Sequence, residues 1–422
     1  MKRIFSMFLI ISMLFSLLPA LPALAAPQAN CVDTLQPSGA VYRICLPLRF
    51  WNRDLVIFAH GYVPNLRQPP AIPEDQLSLP DGTSIPDLMN RLGFAFAVTS
   101  YPENGLVVTR GIEDLTLLAA YFRDLYPNTR RIFLVGVSEG GLIATKAVET
   151  YPQIFKGGVA ACGPIGDFRQ QVSWFGDFRV LFDYFFPEVF DFDPVVIPPQ
   201  AMIDWQTVYS PTIPGLLASN PQATQQLLNV SRAPIDPADL ATVPQTVLGL
   251  LWYNIFATMD AQLKLQGQPF DNQTRVYMGS LDDEALNAGV QRFTADPLAL
   301  QNIDTYLQTT GRLRAPLVTL HTTGDPIVPY SHMALYRQKV LKSGSFWNYN
   351  HIPVQRYGHC AFKAPEALVA FALMYLKASW TPLRNAEDAL VNPADQAEYL
   401  RLAREWGALQ EDQLFLPMVA RP

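Results

Sequence analysis

A serine stands in a setting typical of a nucleophile. Residues 136–140 read Gly-Val-Ser-Glu-Gly, so Ser138 has one glycine two positions before it and another two positions after it. The segment follows an apolar run typical of a buried strand and begins a stretch with helical periodicity. A sharp turn from strand to helix strains the serine backbone and brings neighbouring chain so close that only glycine fits. The sequence therefore predicts that Ser138 is exposed at such a turn.

A serine hydroxyl is a poor nucleophile at neutral pH, so Ser138 needs a histidine base and a carboxylate that orients the histidine. Asp325 follows the apolar run at 317–321, and His359 follows the next run at 351–356. Both lie on predicted loops, in the order serine, acid, histidine. We therefore predict a catalytic triad of Ser138, Asp325 and His359.

Other histidines and acids fit these roles less well. Three histidines precede or lie within predicted strands and a fourth begins a predicted helix: His60, His321, His351 and, at the helix, His332. Three acids lie in a region where a solvated surface carboxylate is the usual expectation: Asp282, Asp283 and Asp304.

Neither a cofactor nor a metal ion is expected. Leu142 stands where a phosphate-binding P-loop requires lysine, and the chain contains no C-x-x-C and no H-E-x-x-H motif.

Short apolar runs alternate with helical patterns from residue 53 onward. The runs lie at 55–59, 94–98, 132–135, 158–161, 317–321 and 351–356, and amphipathic helices are predicted at 109–126, 139–150 and 365–377. Continuous apolar runs are typical of strands buried on both faces. The alternation predicts an α/β fold, with a mostly parallel sheet flanked by helices and a core at 26–164 and 314–380.

The alternation stops between residues 165 and 313, where aromatic residues, prolines and weakly periodic helical segments predominate. We interpret 165–313 as a largely helical cap insertion. Its first part, 167–192, is rich in Phe, Tyr and Trp, which either form the core of the insertion or line a substrate pocket beneath it. Residues 381–422 form a C-terminal tail with a predicted helix at 394–406.

The N-terminal residues are typical of a signal peptide. Lys2 and Arg3 precede an apolar run, and small residues follow, with cleavage expected near Ala25 or Ala26. Without residues 1–25, 29 Lys and Arg stand against 37 Asp and Glu, a formal charge of −8. No basic cluster suits nucleic acid, and no later apolar stretch is long enough to span a membrane. We expect a secreted protein, extracellular or periplasmic.

Four cysteines, Cys31, Cys45, Cys162 and Cys360, make two disulfides plausible in an oxidising compartment. Sequence proximity favours Cys31 with Cys45, which leaves Cys162 with Cys360. All three possible pairings remain open.

The strand order, the serine turn, the acid loop and the histidine loop together resemble the α/β-hydrolase superfamily over residues 50–380, apart from the insertion. The resemblance implies the α/β-hydrolase fold. It also implies an oxyanion hole, with one N–H from Glu139 and, because His60-Gly61-Tyr62 resembles the H-G-x segment of these enzymes, a second from Tyr62. For His60 itself we expect a buried residue that holds the loop.

His359-Cys360 is also similar to the tannase and feruloyl esterase family, in which a cysteine after the catalytic histidine is bonded to one before the catalytic serine. Val137 occupies that preceding position here. A bond between Cys360 and Cys162 would instead tie the histidine loop to the start of the insertion.

These observations predict a secreted hydrolase of carboxylic esters, small or polymeric, with apolar or aromatic acyl groups. The enzymatic alternative is a serine peptidase of the prolyl-peptidase kind, in which acids of the insertion such as Asp282, Asp283 and Glu284 would anchor a peptide terminus. A non-catalytic binding protein is a third possibility, against which the complete triad argues.

Overall fold

The computed structural model describes residues 30–66 and 69–409, and within them the chain forms one eight-stranded sheet. The strands are β1 (Asn30–Leu35), β2 (Val41–Leu46), β3 (Asp54–Ala59), β4 (Ala95–Thr99), β5 (Arg131–Val137), β6 (Phe155–Ala161), β7 (Leu317–Gly324) and β8 (Tyr349–Tyr357). Their order across the sheet is β1-β2-β4-β3-β5-β6-β7-β8. The pairs β1–β2 and β2–β4 are antiparallel and all others are parallel. The predicted mostly parallel α/β sheet is confirmed.

Helices follow most of the parallel strands. They are α1 (Ile85–Arg91), α2 (Val108–Leu125), α3 (Glu139–Thr150), α4 (Phe168–Phe185), α5 (Pro199–Asp204), α6 (Ser210–Ser219), α7 (Pro221–Ser231), α8 (Thr242–Leu265), α9 (Asp283–Gly289), α10 (Pro297–Asn302), α11 (Ser331–Lys342), α12 (Ala364–Ser379) and α13 (Pro393–Glu405). Shorter 3-10 or π turns lie at Glu74–Leu77, Trp205–Tyr209, Ile303–Leu307, Phe346–Asn348 and Ala386–Ala389.

Both faces of the sheet are covered, which explains the continuous apolar runs. Helices α2, α3 and α11 pack on one face, and α1, α12 and α13 pack on the other. In β3, Leu55 and Ile57 contribute to the first core, whereas Val56 and Phe58 contribute to the second. Because successive side chains of a strand point to opposite faces, a strand covered on both faces is apolar at every position.

Residues 165–313, the predicted cap insertion, lie between β6 and β7 and contain α4 to α10; we call this segment the insertion. Its apolar residues, with Phe178, Phe182 and Leu250 among them, form a core together with Ile327 and Val328. Those two residues belong to the loop that follows β7 and carries Asp325. The insertion therefore packs directly on the loop that holds the predicted acid.

Several sequence expectations differ from the structure at the edges. Neither the antiparallel pair β1 and β2 nor helix α1 (Ile85–Arg91) is among the elements that the sequence predicts. Helix α13 lies where a helix was expected at 394–406. The predicted signal peptide lies outside the described residues. Within the part of the chain that the structure describes, no helix is long and apolar enough to cross a membrane.

Candidate active site

Ser138 lies at the sharp turn between β5 and α3. Its backbone has φ 55° and ψ −124°, a strained conformation for a residue with a side chain. The chain is packed tightly around it: a Cβ at Gly136 would collide with the carbonyl of Gly140, and a Cβ at Gly140 would collide with the carbonyl of Ala59. Both glycines therefore have the steric role that the sequence assigned to them.

The structure brings the three predicted triad residues together at the carboxyl end of the sheet. Ser138 Oγ is 2.9 Å from His359 Nε2, and His359 Nδ1 is 2.7 Å from Asp325 Oδ2. A carboxylate only accepts hydrogen bonds, so Nδ1 carries the proton and Nε2 is free to accept from the serine hydroxyl. This is the tautomer that a general base for Ser138 requires.

Asp325 is completely buried and fully bonded. Its Oδ1 accepts hydrogen bonds from the backbone N–H groups of Ile327 and Val328, both at 2.9 Å, and His321 Nε2 lies 3.4 Å from Oδ2. Burial opposes ionisation of this carboxyl, but the hydrogen bonds and charges of His359 and His321 outweigh it and lower the pKa of Asp325 to about 2. Asp325 therefore remains an anion at neutral pH.

A disulfide lies directly beside the histidine. Cys162, at the end of β6, is bonded to Cys360, which follows His359 in sequence. The Sγ of Cys360 is 3.5 Å from His359 Nε2. Because both sulfurs are in the disulfide, neither is a thiolate that could hold a metal ion beside this histidine. A second disulfide, Cys31–Cys45, joins β1 to β2.

The loop after β3 passes next to the serine. A Cβ at Gly61 would lie 3.0 Å from the Cβ of Ser138. Tyr62 and Glu139 line the same space, and the backbone N–H of neither residue donates a hydrogen bond to any other described residue. They are available to an oxygen atom bound beside Ser138. His60 is buried, its Nδ1 is 2.8 Å from the Gly61 carbonyl oxygen, and burial lowers its pKa to about 4.

The side chain of Glu139 is buried next to this space. Its Oε1 accepts a 2.7 Å hydrogen bond from the Val107 N–H, and its Oε2 has no partner among the described residues. Burial is the main cause of a pKa raised to about 8. The carboxyl group is therefore mostly protonated and neutral at pH 7.

A cavity that is open to solvent at its mouth lies between the insertion and the sheet and reaches Ser138. Its lining is largely apolar and aromatic, with Phe168, Phe175, Phe270 and Val195 among the residues. The described lining residues include no Lys, Arg or His, and Glu139 carries their only carboxyl group. A cavity of this kind accommodates neutral apolar groups.

The aromatic stretch at 167–192 has both of the functions considered for it. Phe168 and Phe175 line the cavity, whereas Phe178 and Phe182 lie in the core of the insertion. Tyr253 on α8, which no sequence pattern indicates, also lines the cavity with its side chain close to that of Ser138. No local motif marks Tyr253, because its position depends on how the insertion packs.

The acids that were weighed as alternatives are engaged elsewhere. Asp282 caps α9 by accepting from the Ala285 N–H, and Asp283 accepts from the backbone and hydroxyl of Ser280. Asp304 forms an ion pair with Arg169. None of the three lines the cavity beside Ser138.

Two of the other histidines, His332 and His351, are also engaged elsewhere. His332 Nδ1 accepts from the N–H groups of Gly166 and Asp167, and His351 Nε2 is 2.9 Å from the hydroxyl of Tyr330. Of the five histidines, only His359 forms a hydrogen bond with Ser138.

Comparisons with known proteins give similarity at the level of the fold. No family model and no curated protein matches the sequence. Among solved structures, acylaminoacyl peptidase from Pyrococcus horikoshii has a TM-score of 0.37 and 11% identity, covering 79% of this chain and 37% of its own. Feruloyl esterase B from Aspergillus oryzae has a TM-score of 0.44 and 14% identity, covering 83% of this chain and 80% of its own.

An esterase from Aspergillus oryzae is similar to the same degree, with a TM-score of 0.45 and 14% identity over 78% of this chain and 72% of its own. The chain spans 37% to 44% of the length of the acylaminoacyl peptidase structures it matches.

Proposed function

We propose that this protein, whose fold is that of the α/β-hydrolase superfamily, is a serine hydrolase that cleaves carboxylic esters through an acyl-enzyme. The observation that carries the proposal is the continuous hydrogen-bonded chain from Asp325 through His359 to Ser138 at the floor of an apolar cavity. A serine, a correctly protonated histidine and a buried anion in this order form a nucleophile, its base and the group that orients the base.

In the proposed reaction Ser138 Oγ attacks the ester carbonyl carbon while its proton passes to His359 Nε2. The π electrons of the carbonyl move to its oxygen, and the resulting imidazolium is stabilised by Asp325. Collapse of this intermediate expels the alcohol, which takes the proton from Nε2. Water then attacks the acyl-enzyme by the same route, with His359 as base, and releases the acid.

The negative charge on the former carbonyl oxygen requires donors that are already in place. We assign this role to the N–H groups of Tyr62 and Glu139, which flank Ser138 and are not used by other described residues. Fixed donors of this kind contribute to rate because they need no reorganisation as the charge develops.

The lining of the cavity favours substrates whose acyl group is apolar or aromatic. Its lining presents aromatic and aliphatic side chains, and its one carboxyl group, that of Glu139, is kept mostly neutral by burial. A charged acyl group would lose its hydration here without gaining a partner, which is costly.

The same lining argues against a peptidase that anchors a charged peptide amine. Such an anchor needs ionised carboxylates near the nucleophile, whereas Asp282 and Asp283 are hydrogen-bonded at the start of α9. We therefore place ester hydrolysis ahead of peptide hydrolysis.

We further propose that the protein acts after export, in an extracellular or periplasmic space. The support is the predicted signal peptide together with the disulfides Cys31–Cys45 and Cys162–Cys360, because disulfides persist in oxidising compartments. Its substrate is then a small-molecule or polymeric ester that is available outside the cytoplasm.

A direct comparison of substrates tests the proposal. Purified protein is assayed on p-nitrophenyl esters of acetate, octanoate and phenylacetate and on amino-acyl p-nitroanilides, with Ser138→Ala as the control. We expect turnover of the apolar and aromatic esters that Ser138→Ala abolishes. Turnover of the anilides without turnover of the esters would overturn the choice of esterase.

A further inference from the structure

Tyr253 brings a hydroxyl group from the insertion to the nucleophile. It lies near the middle of α8 and lines the same cavity as Ser138, with its side chain close to that of Ser138. The two residues belong to different parts of the fold, so this contact exists only because the insertion covers the end of the sheet.

The ring of Tyr253 is held in place by other aromatic rings. It stacks on Phe175 of α4 with centroids 5.1 Å apart and an interplanar angle of 6°, and it meets Trp252 nearly edge-on at 4.9 Å. The ring of Tyr62 lies 6.0 Å away. Contacts on several sides restrict the ring and fix where its hydroxyl points.

Helix α8 is in turn attached to the core near the site. Asp260 accepts a hydrogen bond from the backbone N–H of Leu106, and Lys264 donates a 2.6 Å hydrogen bond to the Asn104 carbonyl oxygen. The hydroxyl of Tyr62 donates to the carbonyl oxygen of Phe256, three residues after Tyr253. The position of Tyr253 over the serine is therefore set by direct bonds between insertion and core.

The neighbours of Tyr253 include the two residues assigned to the oxyanion hole. The rings of Tyr253 and Tyr62 are 6.0 Å apart, Glu139 lines the same cavity, and the carboxyl groups of Glu139 and Asp325 act on the phenol when they are ionised. Tyr62 and Glu139 are the residues whose N–H groups we assign to the oxyanion hole. Burial and the two carboxyl groups raise the pKa of Tyr253, so the phenol remains a donor throughout the pH range in which the triad works.

We propose that the hydroxyl of Tyr253 is a third hydrogen-bond donor to the oxyanion, supplied by the insertion to a site built on the sheet. The role rests on the proposed function. Before reaction the hydroxyl lies near Ser138 Oγ, whose own proton points to His359. As the bond from Oγ to the carbonyl carbon forms, the π pair moves to the carbonyl oxygen, and Tyr253 donates to that oxygen without losing its proton.

The test compares Tyr253→Phe with the wild-type chain on the best ester. Loss of one oxyanion donor typically lowers kcat by about 100- to 1,000-fold, so we expect a fall of at least about 10-fold with KM changed by less than about threefold. The matched control is Tyr184→Phe, which removes a hydroxyl from α4 of the insertion at a position outside the cavity lining and should keep the wild-type kcat.

A second readout separates an oxyanion donor from a packing residue. An aryl boronic acid forms a reversible adduct with a serine nucleophile and places an anionic boronate oxygen where the oxyanion would lie. Tyr253→Phe should weaken inhibition by phenylboronic acid by at least about 10-fold, because transition-state analogues lose the same donor. If Tyr253 only packs, the inhibition constant and kcat remain within about twofold of the wild-type values, and the proposal is overturned.

Failure of this inference can be distinguished from failure of the proposed function. If the wild-type chain hydrolyses esters and Tyr253→Phe is equally active, only the role of Tyr253 is lost. If the wild-type chain neither hydrolyses esters nor reacts with the boronic acid, the esterase assignment is lost and the role of Tyr253 with it.

Discussion

The buried carboxyl group of Glu139 predicts an unusual pH dependence of stability. The residue is 6% exposed, and burial raises the pKa of its carboxyl group from the ordinary 4.5 to about 8. The folded protein therefore holds this proton more tightly than the unfolded chain does. The corresponding stabilisation is fully present below about pH 4.5 and is lost as the pH rises through about 8.

The size of the effect follows from the two pKa values. The pKa of Glu139 differs between the unfolded and folded states by the interval from 4.5 to about 8, and each pKa unit corresponds to about 1.4 kcal/mol. Ionisation of Glu139 at high pH therefore lowers the free energy of unfolding by at most roughly 5 kcal/mol. Replacement of Glu139 by Gln should remove this loss. Gln retains an oxygen that can accept from the Val107 N–H, and it cannot ionise.

The assay is the melting temperature of the wild-type chain and of Glu139→Gln at pH 5.5 and pH 9. We expect the wild-type chain to lose several degrees more than the variant between the two pH values. Glu113→Gln, which neutralises an exposed carboxyl on α2, controls for the change in net charge and should behave like the wild type. An equal loss in the wild type and in Glu139→Gln would refute the reasoning.

Three further predictions concern the site and its support. Replacing both Cys162 and Cys360 by Ser should destabilise the protein by about 2–5 kcal/mol and lower its esterase activity, because this disulfide holds the histidine loop. Thermal melts and hydrolysis rates measure the two effects, and removal of the Cys31–Cys45 disulfide should leave the activity unchanged. Asp325→Asn should lower kcat by about 10⁴-fold, because Asn stabilises the tautomer of His359 that cannot accept the serine proton. A fall in kcat of less than about 10-fold would contradict the role of Asp325. Gly105→Ala should lower the melting temperature, since Gly105 has φ +86° and a Cβ there would collide with the carboxylate of Asp260; an unchanged melt would argue against this contact.

The sequence predicted the centre of the fold better than its edges. Strands such as β3 are buried on both faces, so their apolar runs are continuous and conspicuous. In β1, by contrast, all six residues are exposed or partly exposed, and Val32 and Leu35 are largely open to solvent. An edge strand of this kind has no pattern that separates it from a loop.

Helix α1 was missed although local evidence for it exists. Ser84 caps the helix by accepting from the Asp87 N–H, and Pro86 lies in its first turn. A cap residue followed by proline is a known start of a helix. The five prolines between residues 63 and 84 are typical of a loop and mask this start signal.

The positions of Ser138, Asp325 and His359 could be predicted because each follows a recognisable strand. The contacts of Tyr253 and His321 could not. Tyr253 reaches Ser138 across 115 positions of sequence through the packing of α8, and His321 approaches Asp325 only because the loop after β7 folds back on its own strand. Such contacts depend on tertiary packing and carry no local motif.

The central claim is that Ser138 is an activated nucleophile, and covalent labelling tests it most directly. The folded wild-type chain is incubated with a fluorophosphonate and then digested with a protease. The modified residue is identified by mass spectrometry of the peptides. We predict one adduct per chain, on Ser138, that is absent in Ser138→Ala and forms far more slowly in His359→Ala. A folded wild-type chain that gains no adduct, or that is labelled elsewhere at a rate unaffected by Ser138→Ala, would contradict the claim.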